Sequence, residues 1–533
     1  MAQIRLTTKL NQIISQPLAT IPGTRRILGT VSGVLGLGML AAALYLAPQP
    51  ATLGLVFLGI GLPIFFLLWN RPEVGLLVLT FLTSSFISTD IVDLRLPIGG
   101  GLDLGDLVFI GLSGVVFLRE LARGKLKVPW WPVGGPLLLF LVMAVFSAFY
   151  ALVFRHVESN WALDELRKLS LYAIFYITLW SIKRTEQLKT LLVGLFIIAD
   201  LTTLIVYLQQ FSGVGNPLLQ AMTLDRDWRV YQQAGAVRVV PAGHVLMHFM
   251  WFVALGVLVF SRHKRNLRAF CVAQLLFIGG GHLFTYVRAQ WVASIVGLGL
   301  VFIILLPRYK QYLAKVAIVT CCIVLLFAGI LSSGLLSGVS ETPFVTGVTQ
   351  RFGSLLTPSE TAETGSLQWR NFEDKEALQA IKKQPLTGVG LGNRYRSLTA
   401  FMGEADGWWT RGSIIAGQVS RFTRYVHNSY IAIAVKMGIP GLLALLWFCG
   451  AVLFQGFRVY RDMPHSEYKG VVLGSLAGFA GLLVWCYFHA HLMKTESTGV
   501  IAMMVGLVGS QVYIHRFGSA SRSIRGRSLP EME

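Results

Sequence analysis

Asn428-Ser-Tyr430-Ile-Ala-Ile-Ala-Val-Lys436-Met-Gly438-Ile-Pro440-Gly441-Leu-Leu-Ala-Leu-Leu-Trp447-Phe-Cys449-Gly-Ala-Val-Leu-Phe454 is an apolar run broken by one charge, Lys436. Crossing the hydrocarbon core of a bilayer takes about 20 apolar residues in a helix. Backbone donors and acceptors inside lipid must be satisfied within the segment, so such a run reads as a helix. The pattern repeats at 27–46, 51–69, 73–89, 104–119, 134–154, 169–182, 189–211, 243–261, 267–286, 289–306, 316–336, 470–488 and 498–514. With 54% hydrophobic and only 14% charged residues over 533 positions, the chain carries too much apolar surface for a water-soluble core. The expected fold class is all-α: a polytopic integral membrane protein with about 12 to 14 transmembrane helices.

Charge sets the orientation. Lys and Arg concentrate in residues 1–26, in Arg119-Glu-Leu-Ala-Arg123-Gly-Lys125-Leu-Lys127, in Arg262-His-Lys264-Arg265 and between Arg516 and Arg527. Placing these links in the cytoplasm satisfies the positive-inside rule. The net charge of +20 is then a topology signal at an anionic inner leaflet, and no nucleic-acid partner is needed to explain it. The expected layout is a cytoplasmic segment at 1–26, a first transmembrane group at 27–336, a large external loop at 337–426, a second transmembrane group at 427–514 and a basic cytoplasmic tail at 515–533. The run at 27–46 lacks a following small-residue cleavage pattern, so it is expected to be retained. Cys271, Cys321, Cys322, Cys449 and Cys486 all fall within apolar runs, which suggests no disulfide framework.

Chemistry is expected on the outer face. Arg421-Phe-Thr-Arg424-Tyr-Val-His427 brings two guanidinium groups and an imidazole to the membrane boundary. Arg238 lies just before the run at 243–261, and Arg288 sits in the tight connection Thr285-Tyr-Val-Arg288-Ala-Gln-Trp291. A single arginine at a span end commonly snorkels, and an interfacial histidine commonly caps or hydrogen-bonds. External arginines nevertheless run against the positive-inside rule, and an anionic ligand outside would account for them. Within the loop, Leu367-Gln-Trp369-Arg370-Asn-Phe372 and on to Ile381 has the spacing of an amphipathic helix, expected to lie along the bilayer surface. Gly388-Val-Gly390-Leu-Gly392-Asn393 follows it. With neither a preceding strand nor an acidic ribose partner, this string reads as a turn and not as a dinucleotide loop.

The ordered set Gln384-Pro385-Leu-Thr-Gly388-Val-Gly390-Leu-Gly392-Asn393, His427-Asn428-Ser-Tyr430 and Gly438-Ile-Pro440-Gly441 resembles the signature of the O-antigen ligase and O-antigen polymerase superfamily. Trp369-Arg370 and the Arg288-Ala-Gln-Trp291 connection fit the same pattern, and together they cover roughly residues 220 to 455. The resemblance implies a membrane glycosyltransferase taking a glycan from an undecaprenyl-diphosphate-linked donor at the outer face of a bacterial cytoplasmic membrane, with a glycan or lipid-linked acceptor. It implies that His427 activates the acceptor and that Arg288 and Arg238 hold the diphosphate, with Arg226 or Arg229 as alternatives to Arg238. Arg421, Arg424, Arg370, Asn428 and Tyr430 are supporting candidates. Val287 and Ala289 flank the arginine where the family often has Ser and Gly. Chain length inclines this reading towards polymerase over ligase. No cofactor or metal is expected, because guanidinium groups can stabilise the leaving diphosphate.

Two other readings carry distinct residues. Asp103 and Asp106, with Asp90 and Asp93 near them, could hold a divalent ion beside a lipid phosphate, and His244 with His248 and His489 with His491 form a weaker candidate set. A transporter or lipid flippase is the rival from another class. It rests on Asp200 and Lys436, two charges inside apolar runs that could pair with each other.

Overall fold

The computed structural model describes residues 63–83, 103–124, 129–212, 229–233, 236–241, 243–261, 263–306, 362–396 and 423–525. The chain divides into two units, Met1–Pro72 and Glu73–Glu533. In the first, the described part holds a short helix, Pro63–Asn70. The second carries everything considered below.

Its helices, in chain order, are α1 (Pro72–Thr83), α2 (Leu104–Ala122), α3 (Trp131–Val153), α4 (Ser159–Ser170), α5 (Ile174–Ser181), α6 (Thr185–Ser212), α7 (His244–Phe260) and α8 (Arg265–Phe284). They continue with α9 (Arg288–Leu306), α10 (Ala362–Lys383), α11 (Ser429–Asp462), α12 (Glu467–Phe488) and α13 (Thr495–Arg525). Among the described residues, 7 helices are long and apolar enough to cross a membrane: α3, α6, α8, α9, α11, α12 and α13. The chain is an all-α polytopic membrane protein, as the apolar runs require. The expected spans at 27–46 and 316–336 lie outside the described residues. The short run at 169–182 is not a separate rod: it is split between the end of α4, a 3-10 turn at Leu171–Ala173 and α5. The last helix continues to Arg525, past the expected span end at 514.

Small residues let the bundle close. A Cβ on Gly256 of α7 would sit 2.1 Å from the Gly470 carbonyl oxygen of α12, and one on Gly474 would sit 2.3 Å from the Phe252 oxygen. Close backbone approach of this kind substitutes for the hydrophobic effect, which cannot drive helix association in lipid.

One element has no counterpart in the apolar pattern. β1 (Arg229–Gln233) and β2 (Ala236–Val240) form an antiparallel hairpin in which Tyr231 pairs with Arg238 and Arg229 with Val240. Val239 packs on Val206 of α6 with Phe284 of α8 alongside, which brings residue 238 to the bundle end from which Arg288 emerges.

Candidate functional site

The site is assembled where α10 leans on the start of α11. Ala377, Ala380 and Ile381 of α10 are buried with Val389, Val426 and Val435. The amphipathic helix thus spends its apolar face on the bundle. Its register turns Glu373 inward, where the carboxylate is fully buried.

There Glu373 meets His427. Oε2 accepts from His427 Nδ1 at 2.6 Å and from the His427 backbone amide at 3.3 Å. Its other oxygen faces Arg396 Nη2 at 3.7 Å, and the Arg396 guanidinium lies over the Phe372 and Tyr395 rings. A carboxylate bonded to Nδ1 fixes the proton on that nitrogen and leaves Nε2 as the acceptor. The imidazole is partly exposed, and Nε2 has no hydrogen-bond partner among the described residues. Tyr425 packs edge-on against the ring at 4.9 Å between centroids, closing one side.

The remaining residues of the His427-Asn-Ser-Tyr motif hold that imidazole still. Asn428 is the N-cap of α11, its side chain accepting from the Tyr430 and Ile431 amides, which satisfies donors that a helix start leaves open. Ser429 Oγ donates to His489 O at 2.7 Å and Tyr430 Oη to Leu483 O at 2.7 Å. Each ties α11 to α12 or to the link that follows it.

Positive charge gathers around the ring. Burial pulls Arg370 below the usual guanidinium range, and Arg288 is near enough to add to the effect, against the opposing pull of Tyr425, Glu373 and Asp374. Burial likewise raises the Asp374 carboxyl, with Glu373 adding to the rise and His427 and Arg370 opposing it. His489 is pushed well down by burial, then by His491, Arg370 and His427. Arg288, Arg370, His427 and His489 are therefore linked within electrostatic range at one end of the bundle, although they come from four separate stretches of sequence.

Residues 273–446 match the family model for O-antigen ligase. No curated protein matches the chain. The matched segment begins within α8 and ends within α11, and so includes Arg288, Arg370, Glu373 and His427.

Its glycine-rich signature is mechanical. α11 breaks at Gly438 (φ 71°, ψ −179°), with Pro440 two residues on. The break frees backbone groups of α11 that the turn at 385–392 then satisfies: Val389 N donates to Val435 O at 2.7 Å and Gly390 N to Lys436 O at 3.1 Å, while Ile439 N of α11 donates to Pro385 O at 2.7 Å. A Cβ on Gly438 would lie 2.3 Å from the Leu386 oxygen, and one on Gly388 would lie 2.5 Å from the Val435 oxygen. The Gly-x-Gly-x-Gly string and the Gly-Ile-Pro-Gly string, some fifty residues apart in sequence, are two halves of one clasp.

Lys436 belongs to the same clasp. Its Nζ donates to Glu165 Oε1 at 2.9 Å and to Asn393 O at 2.7 Å, while Glu165 Oε2 accepts from the Gly392 amide at 2.6 Å. Asp200 instead accepts from Gln274 at 2.9 Å. The two intramembrane charges do not pair with each other, and each has a local partner. Arg424 is also occupied by the clasp: it donates to Gly392 O at 2.8 Å and stacks on Trp161 at 4.0 Å.

The metal alternatives find other roles. Asp103 and Asp106 form a reciprocal capping box at the start of α2, and Asp106 bridges to Arg167 at 2.7 Å. His244, His248, His282 and His491 gather with Trp485 through ring contacts, but among the described residues no group of His, Cys, Asp or Glu has metal-binding geometry. Asp90, Asp93, Arg226 and Arg421 lie outside the described residues.

Sequence reasoning missed Glu373, Arg396 and Glu165. Glu373 was visible in principle: it falls on the 370, 373, 377, 381 register of α10, a charge on the face that the helix buries.

Proposed function

We propose that the chain is a membrane glycosyltransferase that moves a glycan from an undecaprenyl-diphosphate-linked donor to an acceptor hydroxyl at the outer face of a bacterial cytoplasmic membrane. One observation carries the reading: His427 is oriented by the buried Glu373 beside Arg370, with Arg288 in electrostatic reach.

The acceptor hydroxyl gives its proton to His427 Nε2 as its oxygen attacks the anomeric carbon. The bond from that carbon to the phosphate oxygen breaks, and the electron pair leaves with the lipid diphosphate. A positioned base contributes about 10²- to 10⁴-fold to such a step. Charge on the leaving diphosphate grows as the bond opens, so guanidinium groups aimed at it lower the barrier further. Arg288 and Arg370 take that part, with Arg238 as the third candidate. A single displacement inverts the anomeric centre. Protonated His427 returns its proton to bulk water through its exposed edge, while Glu373 steadies the transient imidazolium.

Polymerisation of an O-antigen or exopolysaccharide is the form to test first, with transfer to a second molecule as the ligase form. Purified protein is given the lipid-linked donor, and products are resolved by size and anomeric configuration. A ladder of inverted linkages on the carrier supports polymerisation, and glycan on a distinct acceptor supports ligation. Retention of configuration overturns the single-displacement mechanism.

A further inference from the structure

Beside the site, α10 walls a second recess of about 190 Å³ with Glu376, Gln379 and Lys383, closed by Arg155 from the end of α3 and by Arg394 and Tyr395 beyond the glycine turn. Three cations share this space with one carboxylate. Arg155, Lys383 and Arg394 are all solvent-exposed, so a ligand can reach their heads without breaking a core. Gln384 at the base of the recess places its carboxamide between Arg155 Nη2 and Gly388 O, each at 2.8 Å, which ties the wall to the clasp. A short relay joins the recess to the base: Tyr395 Oη donates to Tyr425 O at 3.2 Å, and the Tyr425 ring packs on His427. None of these cations takes part in the transfer step.

We propose that this recess binds an acidic sugar of the glycan being transferred or extended, a uronate or another carboxylate-bearing residue. The inference rests on the transferase reading. Guanidinium groups match a carboxylate with paired donors, an ammonium adds point charge, and the Gln379 amide and Glu376 carboxylate suit ring hydroxyls. The volume admits one sugar ring, and the open side leaves room for the rest of the glycan. Engagement there would seat a charged repeat unit a fixed distance from His427, and a neutral glycan would gain nothing from it.

The test uses full-length protein in lipid nanodiscs, titrated with digalacturonate, with maltose as the neutral control and with inorganic phosphate at matched ionic strength. Wild type is expected to bind digalacturonate in preference to both. Arg394→Gln with Lys383→Gln should weaken that binding by about fivefold or more, leave maltose unchanged and leave thermal unfolding unchanged, while Arg394→Lys retains binding. Equal digalacturonate binding by wild type and the double variant overturns the proposal. So does phosphate binding as tight as digalacturonate binding, since that describes a simple anion site. Transfer from the lipid-linked donor is measured on the same samples. Wild type that transfers glycan but shows no uronate preference sinks the recess alone, and uronate preference without any transfer sinks the transferase reading alone.

Discussion

Replacing Glu373 with glutamine keeps the shape of the side chain and removes its charge. In the native protein the carboxylate holds His427 Nδ1 at 2.6 Å and the His427 amide at 3.3 Å. The amide of glutamine can still accept from Nδ1, but it can also turn its nitrogen inward and select the tautomer with the proton on Nε2, which is useless as a base. The charge that steadies the imidazolium is gone in either orientation. The loss approaches the full contribution of the base, roughly 10²- to 10⁴-fold in the chemical step. Arg396 sets the stability side. It and Glu373 are completely buried, and breaking such a pair costs about 3–5 kcal/mol. The separation of 3.7 Å and the acceptor retained by glutamine reduce the expected cost to about 1–3 kcal/mol. Combining Glu373→Gln with Arg396→Met removes the cation that faced the lost carboxylate and should recover part of the melting temperature without recovering turnover. Single-turnover transfer under saturating donor separates chemistry from binding, and thermal unfolding in detergent separates both from folding. Near-native turnover in a well-folded Glu373→Gln protein refutes the orienting role.

Other outcomes follow from the clasp and the buried imidazoles. Gly438→Ala places a side chain at φ 71°, ψ −179°, where almost only glycine resides, and against the Leu386 oxygen; a loss of about 3 kcal/mol or more in thermal or denaturant unfolding is expected, and a neutral effect would mean the break in α11 is dispensable. Lys436→Met leaves the half-buried Glu165 carboxylate with the Gly392 amide but without its cation and should cost about 1–3 kcal/mol, whereas adding Glu165→Gln should restore part of it. His489 and His491 are held well below the ordinary imidazole value by burial, with neighbouring cations and imidazoles adding to the effect. The unfolded chain therefore binds protons there that the folded chain refuses, so stability is full above pH ~6.5 and falls on acidification below it. The melting temperature of wild type should drop between pH 7 and pH 5, and His489→Gln with His491→Gln should flatten that slope; an unchanged slope contradicts the assignment.

The apolar runs made most spans legible, because lipid forces each segment to satisfy its own backbone. The arginines and His427 stood out in the sequence for a related reason, since basic charge on the side expected to face outward runs against the topology rule. Tertiary pairing was not. Nothing local to Gly388–Gly392 says that its amides will dock on the carbonyls freed at Gly438, and nothing local to Lys436 names Glu165, which lies on an amphipathic helix 271 residues earlier. Glu373 was passed over for a different reason. A glutamate within a helix of mixed polarity reads as solvated surface until the face it shares with Ala377 and Ile381 is seen to be buried. Arg424 illustrates the converse: proximity in sequence to His427 suggested a shared role, yet a β-type entry into α11 sends its guanidinium to Trp161 and Gly392.

In the proposed reaction the imidazole of His427 accepts a proton while guanidinium groups hold the lipid diphosphate. The direct measurement is glycan transfer by His427→Ala, run beside binding of the undecaprenyl-diphosphate donor to the same preparation. Transfer reduced by about 10²-fold or more with donor affinity unchanged is the predicted result; transfer at the wild-type rate contradicts it.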